Sequence, residues 1–207
     1  MTTSTQPRAP QRRFGIVAAV VIWGILVAGG IQLVARYSTA AGAQDAAPVR
    51  WPMTSSLSPQ LGQSTLVMFV HPGCPCSRAS LNELNVIMNE ERGQASAFVV
   101  FLHPDGVGAD WAKTSTWETA GHIPRTTRVV DQGGAEAKRF GALTSGHLVV
   151  YDATGQLQFA GGITASRGHE GDNVGRQTVL AALHTGRAGA HGHEVFGCAF
   201  DSAEPVK

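Results

Sequence analysis

The pattern of apolar and polar positions divides the chain into three stretches. From Phe14 to Ala35 the only polar side chain is Gln32 and there is no charge. That run predicts a helix of about 33 Å, enough for the ~30 Å hydrocarbon core of a bilayer. Residues 36–60, rich in Ala, Ser, Gln and Pro, read as a linker, unless Trp51 begins the folded part by packing on it. From residue 61 to 186 short apolar runs alternate with helically spaced ones. The β-forming run Leu66–Val70 ends in a His71-Pro72-Gly73 turn. Leu81, Leu84, Ile87 and Met88 then recur at helical spacing, with Ser80 and Glu83 placed as a capping box and an end expected near Arg92-Gly93. Ala97–Leu102 reads as a buried strand, 110–121 with Trp111 and Trp117 as a helix, and Thr127–Val130 as a short strand. Ala135–Phe140 reads as a short helix closed by Gly141. His147–Tyr151 and Leu157–Ala160, joined by the turn-rich Asp152–Gln156, form an antiparallel hairpin pattern. Asp172 or Asn173 is placed to cap a last helix through Leu183, with Val174, Val179, Leu180 and Leu183 on its apolar side. Strands alternating with helices predict an α/β domain with a mixed sheet flanked by helices, its late hairpin adding an antiparallel edge.

Composition narrows the functional classes. With 207 residues and 43% hydrophobic side chains the chain holds one packed domain plus appendages. Lys and Arg total 16 against 15 Asp and Glu, so no broad basic face exists to attract nucleic acid. Arg8, Arg12 and Arg13 precede the apolar run and Arg36 alone closely follows it. By the positive-inside rule residues 1–13 stay in the cytoplasm, 14–35 form a single membrane pass, and everything beyond lies outside, in the periplasm or its equivalent. Ala41-Gly42-Ala43 also resembles a cleavage site, but the apolar run exceeds the ~7–15 residues of a signal core, which favours a retained anchor. Either way the cysteines meet an oxidising compartment.

There are three cysteines, Cys74, Cys76 and Cys198, too few for a disulfide-stapled scaffold. The first two form Cys-Pro-Cys at a strand-to-helix turn. A helix N-terminus carries about half a positive charge and unpaired N–H groups, so a thiol there ionises below its usual pKa of about 8.5. Pro75 suits the first helical position, where no N–H bond is lost. His71, three residues earlier, would lower a thiol pKa further if protonated, or only brace the turn with Pro72. An incidental pair of cysteines at a helix end is the plainer alternative.

Two segments, LVMFVHPGCPC and FGALTSGHLVVYDATGQLQFAGGI, resemble the thioredoxin fold over residues 61–186. The latter segment is similar to the closing part of membrane-anchored TlpA- and ResA-type proteins. The strings HPGCPCSRASL and GGITASRGHEGDN further resemble bacterial thioredoxin-like proteins labelled RedB. The chain departs from the thioredoxin pattern in three ways. One residue rather than two separates the cysteines, Gly73 stands where tryptophan is usual, and Ser145-Gly146 falls where the family has a cis-proline beside its disulfide.

The resemblance implies an anchored thiol–disulfide oxidoreductase or isomerase acting on protein thiols or disulfides outside the cytoplasm, without a cofactor. Cys74, nearer the turn, attacks; Cys76 resolves. A bond between them needs backbone adjustment and would be strained, which favours an oxidant over a reductant. The topology of the fold sets the loop from Gly161 to Asn173 over Cys74, with Arg167, His169, Glu170 and Asp172 in it, and His169 is the residue chosen there. His147, beside the missing proline, is the other histidine expected close by. The tail 187–207 contains His191, His193 and Cys198; from Thr185 it spans ~40 Å extended, more than the ~20 Å of the last helix, so Cys198 is able to return to Cys74 or Cys76. Two other classes fit the same residues. Cys74, Cys76 and Cys198 with His71, His191 or His193 form a soft ligand set for copper or zinc, by analogy with Sco-type copper-delivery proteins. A non-catalytic anchored adaptor that keeps the fold as scaffold is the third.

Overall fold

The computed structural model describes residues 9–60, 62–91, 93–186 and 192–200. The chain divides into two units, Met1–Ser38 and Thr39–Lys207. The first is a helix, α1 (Ala9–Ser38), longer at both ends than the apolar run alone predicts. Its Arg13–Ser38 stretch has a mean hydropathy of 2.5 and exposes its apolar side chains all round, making it the one helix among the described residues long and apolar enough to cross a membrane.

The second unit runs β1 (Ser64–Val70), α2 (Ser77–Glu90), β2 (Ala95–His103), α3 (Ser115–Gly121), β3 (Thr126–Gln132), α4 (Ala135–Arg139), β4 (His147–Tyr151), β5 (Leu157–Gly161) and α5 (Val174–Thr185). The sheet order is β3-β2-β1-β4-β5, with β1, β2 and β3 parallel, β4 antiparallel to β1, and β5 antiparallel to β4. β1 is therefore central, and its Leu66–Val70 run is apolar because both its faces are covered. Leu66, Met68 and Val70 pack with Leu81, Leu84, Ile87 and Met88 of α2 and Val179 and Leu183 of α5. Val67 and Phe69 point the other way, toward Phe140, Val149 and Tyr151.

That second face corrects the reading of 36–60 as a linker. Trp51 sits edge-on to Phe140 and Tyr151 at 5.3 and 5.2 Å, Leu57 is buried, and the Tyr151 hydroxyl donates to the Pro48 carbonyl. Gly42 N–H donates to Val195 and Asp45 N–H to Gly141. The segment covers a sheet face that α4 and Phe200 also shield, so Ala47, Trp51 and Leu57 are used in packing while Val49 and Met53 stay exposed. Three local expectations also change. Ser80 lies inside α2 and Glu83 caps nothing there, being drawn to another loop; the helix predicted over 110–121 shrinks to α3, preceded by turns; and Val174, at the first turn of α5, is exposed. Asn173 caps α5, its side chain accepting from Arg176 N–H at 2.8 Å.

Candidate functional site: a three-thiol cluster at the end of the central strand

β1 delivers the chain to its C-terminal end at Val70, and the turn that follows is held by its own backbone. Cys74 N–H donates to the His71 carbonyl and Ser77 N–H to the Cys74 carbonyl, at 3.0 and 3.1 Å. Pro75 and Cys76 thus fill a tight turn leading into α2, and Pro75 comes just before the helix rather than at its first residue. Because β4 is antiparallel to β1, its beginning lies at the same end: His147 pairs with Phe69, and Ser145-Gly146 stands directly before it. Gly146 has φ +90° and donates its N–H to Phe69, a conformation that suits glycine.

Three groups in sequence reach from this junction to the sulfur of Cys74. His71 N–H donates to Ser145 Oγ at 2.8 Å, and Ser145 Oγ lies 2.7 Å from Ser77 Oγ. Ser77 Oγ in turn hydrogen-bonds Cys74. Ser77 Oγ also lies 3.4 Å from the His71 carbonyl, which already accepts from Cys74 N–H, so around a thiolate Ser145 donates to Ser77 and Ser77 donates to the sulfur. Bonds aligned in this way polarise one another.

The tail completes the cluster. Thr144 and Ala199 form an antiparallel bridge, Ser145 N–H donates to the Cys198 carbonyl at 2.8 Å, and Phe200 N–H donates to Leu143 at 2.9 Å. Cys198 is thereby laid on Cys74. All three cysteines are free thiols. Hydrogen bonds from the Cys198 thiol, then from Ser77 and from the N–H groups of Cys198 and Cys76, pull the Cys74 pKa down to about 5 against the opposing cost of burial. Cys198, which keeps the shared proton, is pushed up by the same bond to Cys74. Cys76 is raised by burial and then by the charge on Cys74, with Arg167 opposing. The cluster holds one negative charge, on Cys74, and two protonated thiols.

Neither a protein-family model nor a curated protein matches the chain. Solved structures do. An uncharacterised conserved protein from Geobacillus kaustophilus superposes with a TM-score of 0.57 at 18% identity, covering 81% of this chain and 94% of that one. A hypothetical protein from Sinorhizobium meliloti gives 0.57 at 17% identity, covering 81% and 97%. The exposed lipoprotein thioredoxin of Streptococcus pneumoniae is also similar, at 20% identity over 59% of this chain and 84% of that one, with a TM-score of 0.41. The sheet order, the antiparallel β4–β5 pair and the cysteine turn on the first crossover settle the architecture. The fold is thioredoxin-like.

Within this thioredoxin-like domain the remaining sequence-chosen residues fall in different places. His71 is buried, its Nδ1 accepts from Gly73 N–H at 3.1 Å, and its ring meets Trp111 edge-on at 5.3 Å. Burial lowers its pKa, so it braces the turn as a neutral ring and does not supply the positive charge considered for it. His147 is fully buried with neither ring nitrogen hydrogen-bonded, and burial pushes it down to about 4. His169 is exposed in its loop. The residue that loop brings to the thiols is Arg167, whose Nη1 donates to the Gly197 carbonyl and whose charge bears on Cys76 and Cys198. Glu170 instead accepts from Asn82 and Asp172 pairs with Arg176. His193 stacks on Phe159 and faces Thr178 at 3.2 Å, while His191 lies outside the described residues. Among the described residues no group of three or more His, Cys, Asp or Glu is disposed to hold a metal ion.

Ser77 and Ser145 were not legible as thiol partners. Ser77 is the first residue of an amphipathic helix, and Ser145 attracts notice only as an absence of proline; their meeting depends on β4 running back along β1.

Proposed function

We propose that the second unit is a thiol–disulfide exchange protein whose attacking sulfur is Cys74. The observation that carries this reading is the set of donors around that sulfur, with Cys198, Ser77 and two backbone N–H groups all favouring its thiolate. A thiolate at neutral pH is the species that attacks a disulfide. A pocket of about 430 Å³, lined by Cys74 with Pro72, Gly73, Pro75, Arg78 and Thr114–Thr116, offers a guest a place beside the thiol turn. Protonated Cys76 and Cys198 flank it, each a thiol able to displace a bound guest. The two strings that carry the likeness to RedB-labelled proteins meet at this point, the first forming the turn and the second the loop of Arg167. The length and hydropathy of α1 support a single-pass anchor, and the arginines before it support an extracytoplasmic domain.

Iodoacetamide modification followed by mass spectrometry across pH, together with exchange against glutathione disulfide, tests the assignment. Cys74 should be alkylated with a midpoint near pH 5, far below an ordinary thiol. Cys74→Ser should abolish exchange. Undiminished exchange in Cys74→Ser would overturn the assignment, and no exchange in any form of the protein would leave the adaptor reading in its place.

A further inference from the structure

The thiols of the turn are covered, Cys74 being 2% and Cys76 9% exposed, and part of that cover is the chain's own C-terminal segment. From His193 onward the chain bridges Gly161 in parallel, receives a hydrogen bond from Gly42 at Val195, buries Val195 and Phe196, and then adds its short antiparallel pairing at Thr144. Gly197 lies so close to the Ser145 carbonyl that an added Cβ would collide with it, and Arg167 grips the Gly197 carbonyl from the other loop. This is a built docking track, and it ends with Cys198 presenting both its thiol and its N–H to Cys74.

Cys76 also reaches that sulfur, its thiol hydrogen-bonding Cys74, but it does so from within the same turn. Its backbone is helical, at φ −69° and ψ −24°, in a turn closed by the Ser77-to-Cys74 hydrogen bond. A bond between Cys74 and Cys76 would close a ring inside that hydrogen-bonded turn, so forming it requires the turn to open. The tail cysteine approaches from a separate segment, outside that turn.

We infer that Cys198, not Cys76, resolves the mixed disulfide formed on Cys74, so that the oxidised protein carries a Cys74–Cys198 bond joining its tail to the thiol turn. This rests on the exchange proposed for Cys74 above. A guest disulfide R–S–S–R′ is attacked by the Cys74 thiolate; the Cys74–S–R bond forms and R′S⁻ leaves. Cys198 sulfur then attacks Cys74 Sγ, the Cys74–Cys198 bond forms, RS⁻ leaves, and the Cys198 proton goes to a departing thiolate. The guest gains two electrons as one thiol and one thiolate, the protein loses two as one disulfide, and a dithiol reductant reverses the sequence. Arg167, beside Cys198, favours the charge that this second step places on its sulfur.

The test uses the full chain in detergent, oxidised with glutathione disulfide, alkylated, digested without reduction and mapped by mass spectrometry. Wild type and Cys76→Ser should both yield a linked peptide pair containing Cys74 and Cys198. Cys198→Ser should keep glutathione on Cys74 until added dithiothreitol approaches about millimolar, the effective concentration of a tethered thiol. Gly197→Val, which displaces the track without removing a sulfur, should lower the yield of the linked pair. A Cys74–Cys76 linkage in wild type, or release of glutathione from Cys198→Ser at the wild-type rate, overturns the inference while leaving exchange at Cys74 intact. If glutathione never attaches to Cys74 in any variant, the exchange reading itself falls, and the inference with it.

Discussion

Glu83 offers the sharpest test of how the thiol helix is tied to the loop that carries Arg167. Its carboxylate, 3% exposed, accepts from Gly171 N–H and from Arg176 Nη1, both at 2.6 Å, and from Asn173 Nδ2 at 3.4 Å. Glu83→Ala would leave a guanidinium that is only 14% exposed facing the void, together with a backbone N–H without its acceptor. Removing one partner of a buried pair costs about 3–5 kcal/mol. Arg176 keeps its contact with the exposed Asp172, which sets the expectation at the lower end, about 3 kcal/mol. For a unit of this size each kcal/mol moves Tm by about 2–4 °C, so a fall of about 6–12 °C should accompany it. Urea unfolding of the reduced protein, followed by far-UV circular dichroism, reads the change as a shift in midpoint at constant slope. Glu83→Gln, which keeps the shape and an acceptor, should lose less. In the double variant Glu83→Ala/Arg176→Met the two losses should fall short of their sum, because the stranded charge is gone. A Glu83→Ala loss below about 1 kcal/mol, or strict additivity, would refute the argument that this carboxylate is the knot between α2 and the loop.

Two further outcomes follow from the thiol network and the buried histidine beneath it. Ser77→Ala removes a hydrogen bond to a charged sulfur, worth about 1.5–3 kcal/mol, and should raise the pKa of Cys74 by about one to two, read as a shift of its alkylation profile to higher pH; an unmoved profile would show that Ser77 does not donate to the thiolate. His147 is a base whose native pKa, about 4, lies below its unfolded value of 6.5, so the unfolded chain takes up the proton first and stability falls as pH drops from 6.5 toward 4. The total is about 3 kcal/mol, and His147→Leu should flatten the stability curve in that window when both proteins are unfolded in urea at a series of pH values. Parallel curves for the two proteins would remove His147 from the account of acid sensitivity.

The architecture was legible because its signals are local. Five apolar strand runs, the Asp152–Gln156 turn and the Asn173 cap each declare themselves within a few residues, and their order allows few sheet topologies. The Cys-Pro-Cys turn at the end of β1 was legible for the same reason, as was the apolar length of α1. What the sequence concealed was long-range. Residues 42–57 have the composition of a linker, yet Trp51 and Leu57 pack on the sheet, since an exposed apolar face draws whatever side chains the neighbouring chain can offer. In the loop before α5 nothing local prefers Arg167 to His169, because which side chain turns inward depends on the Gly197 carbonyl that the tail brings to it.

Chain order alone therefore determined that a cysteine pair would stand at the mouth of a central strand, on an α/β domain preceded by one apolar helix. Only the tertiary structure supplied the groups that hold the charge on Cys74. That arrangement depends on Ser77, Ser145 and Cys198 converging from a helix, a strand junction and a tail 124 residues beyond Cys74 (198 − 74). Hydrogen bonds act over about 3 Å of space and are indifferent to separation along the chain, so no reading of spacing alone can supply them.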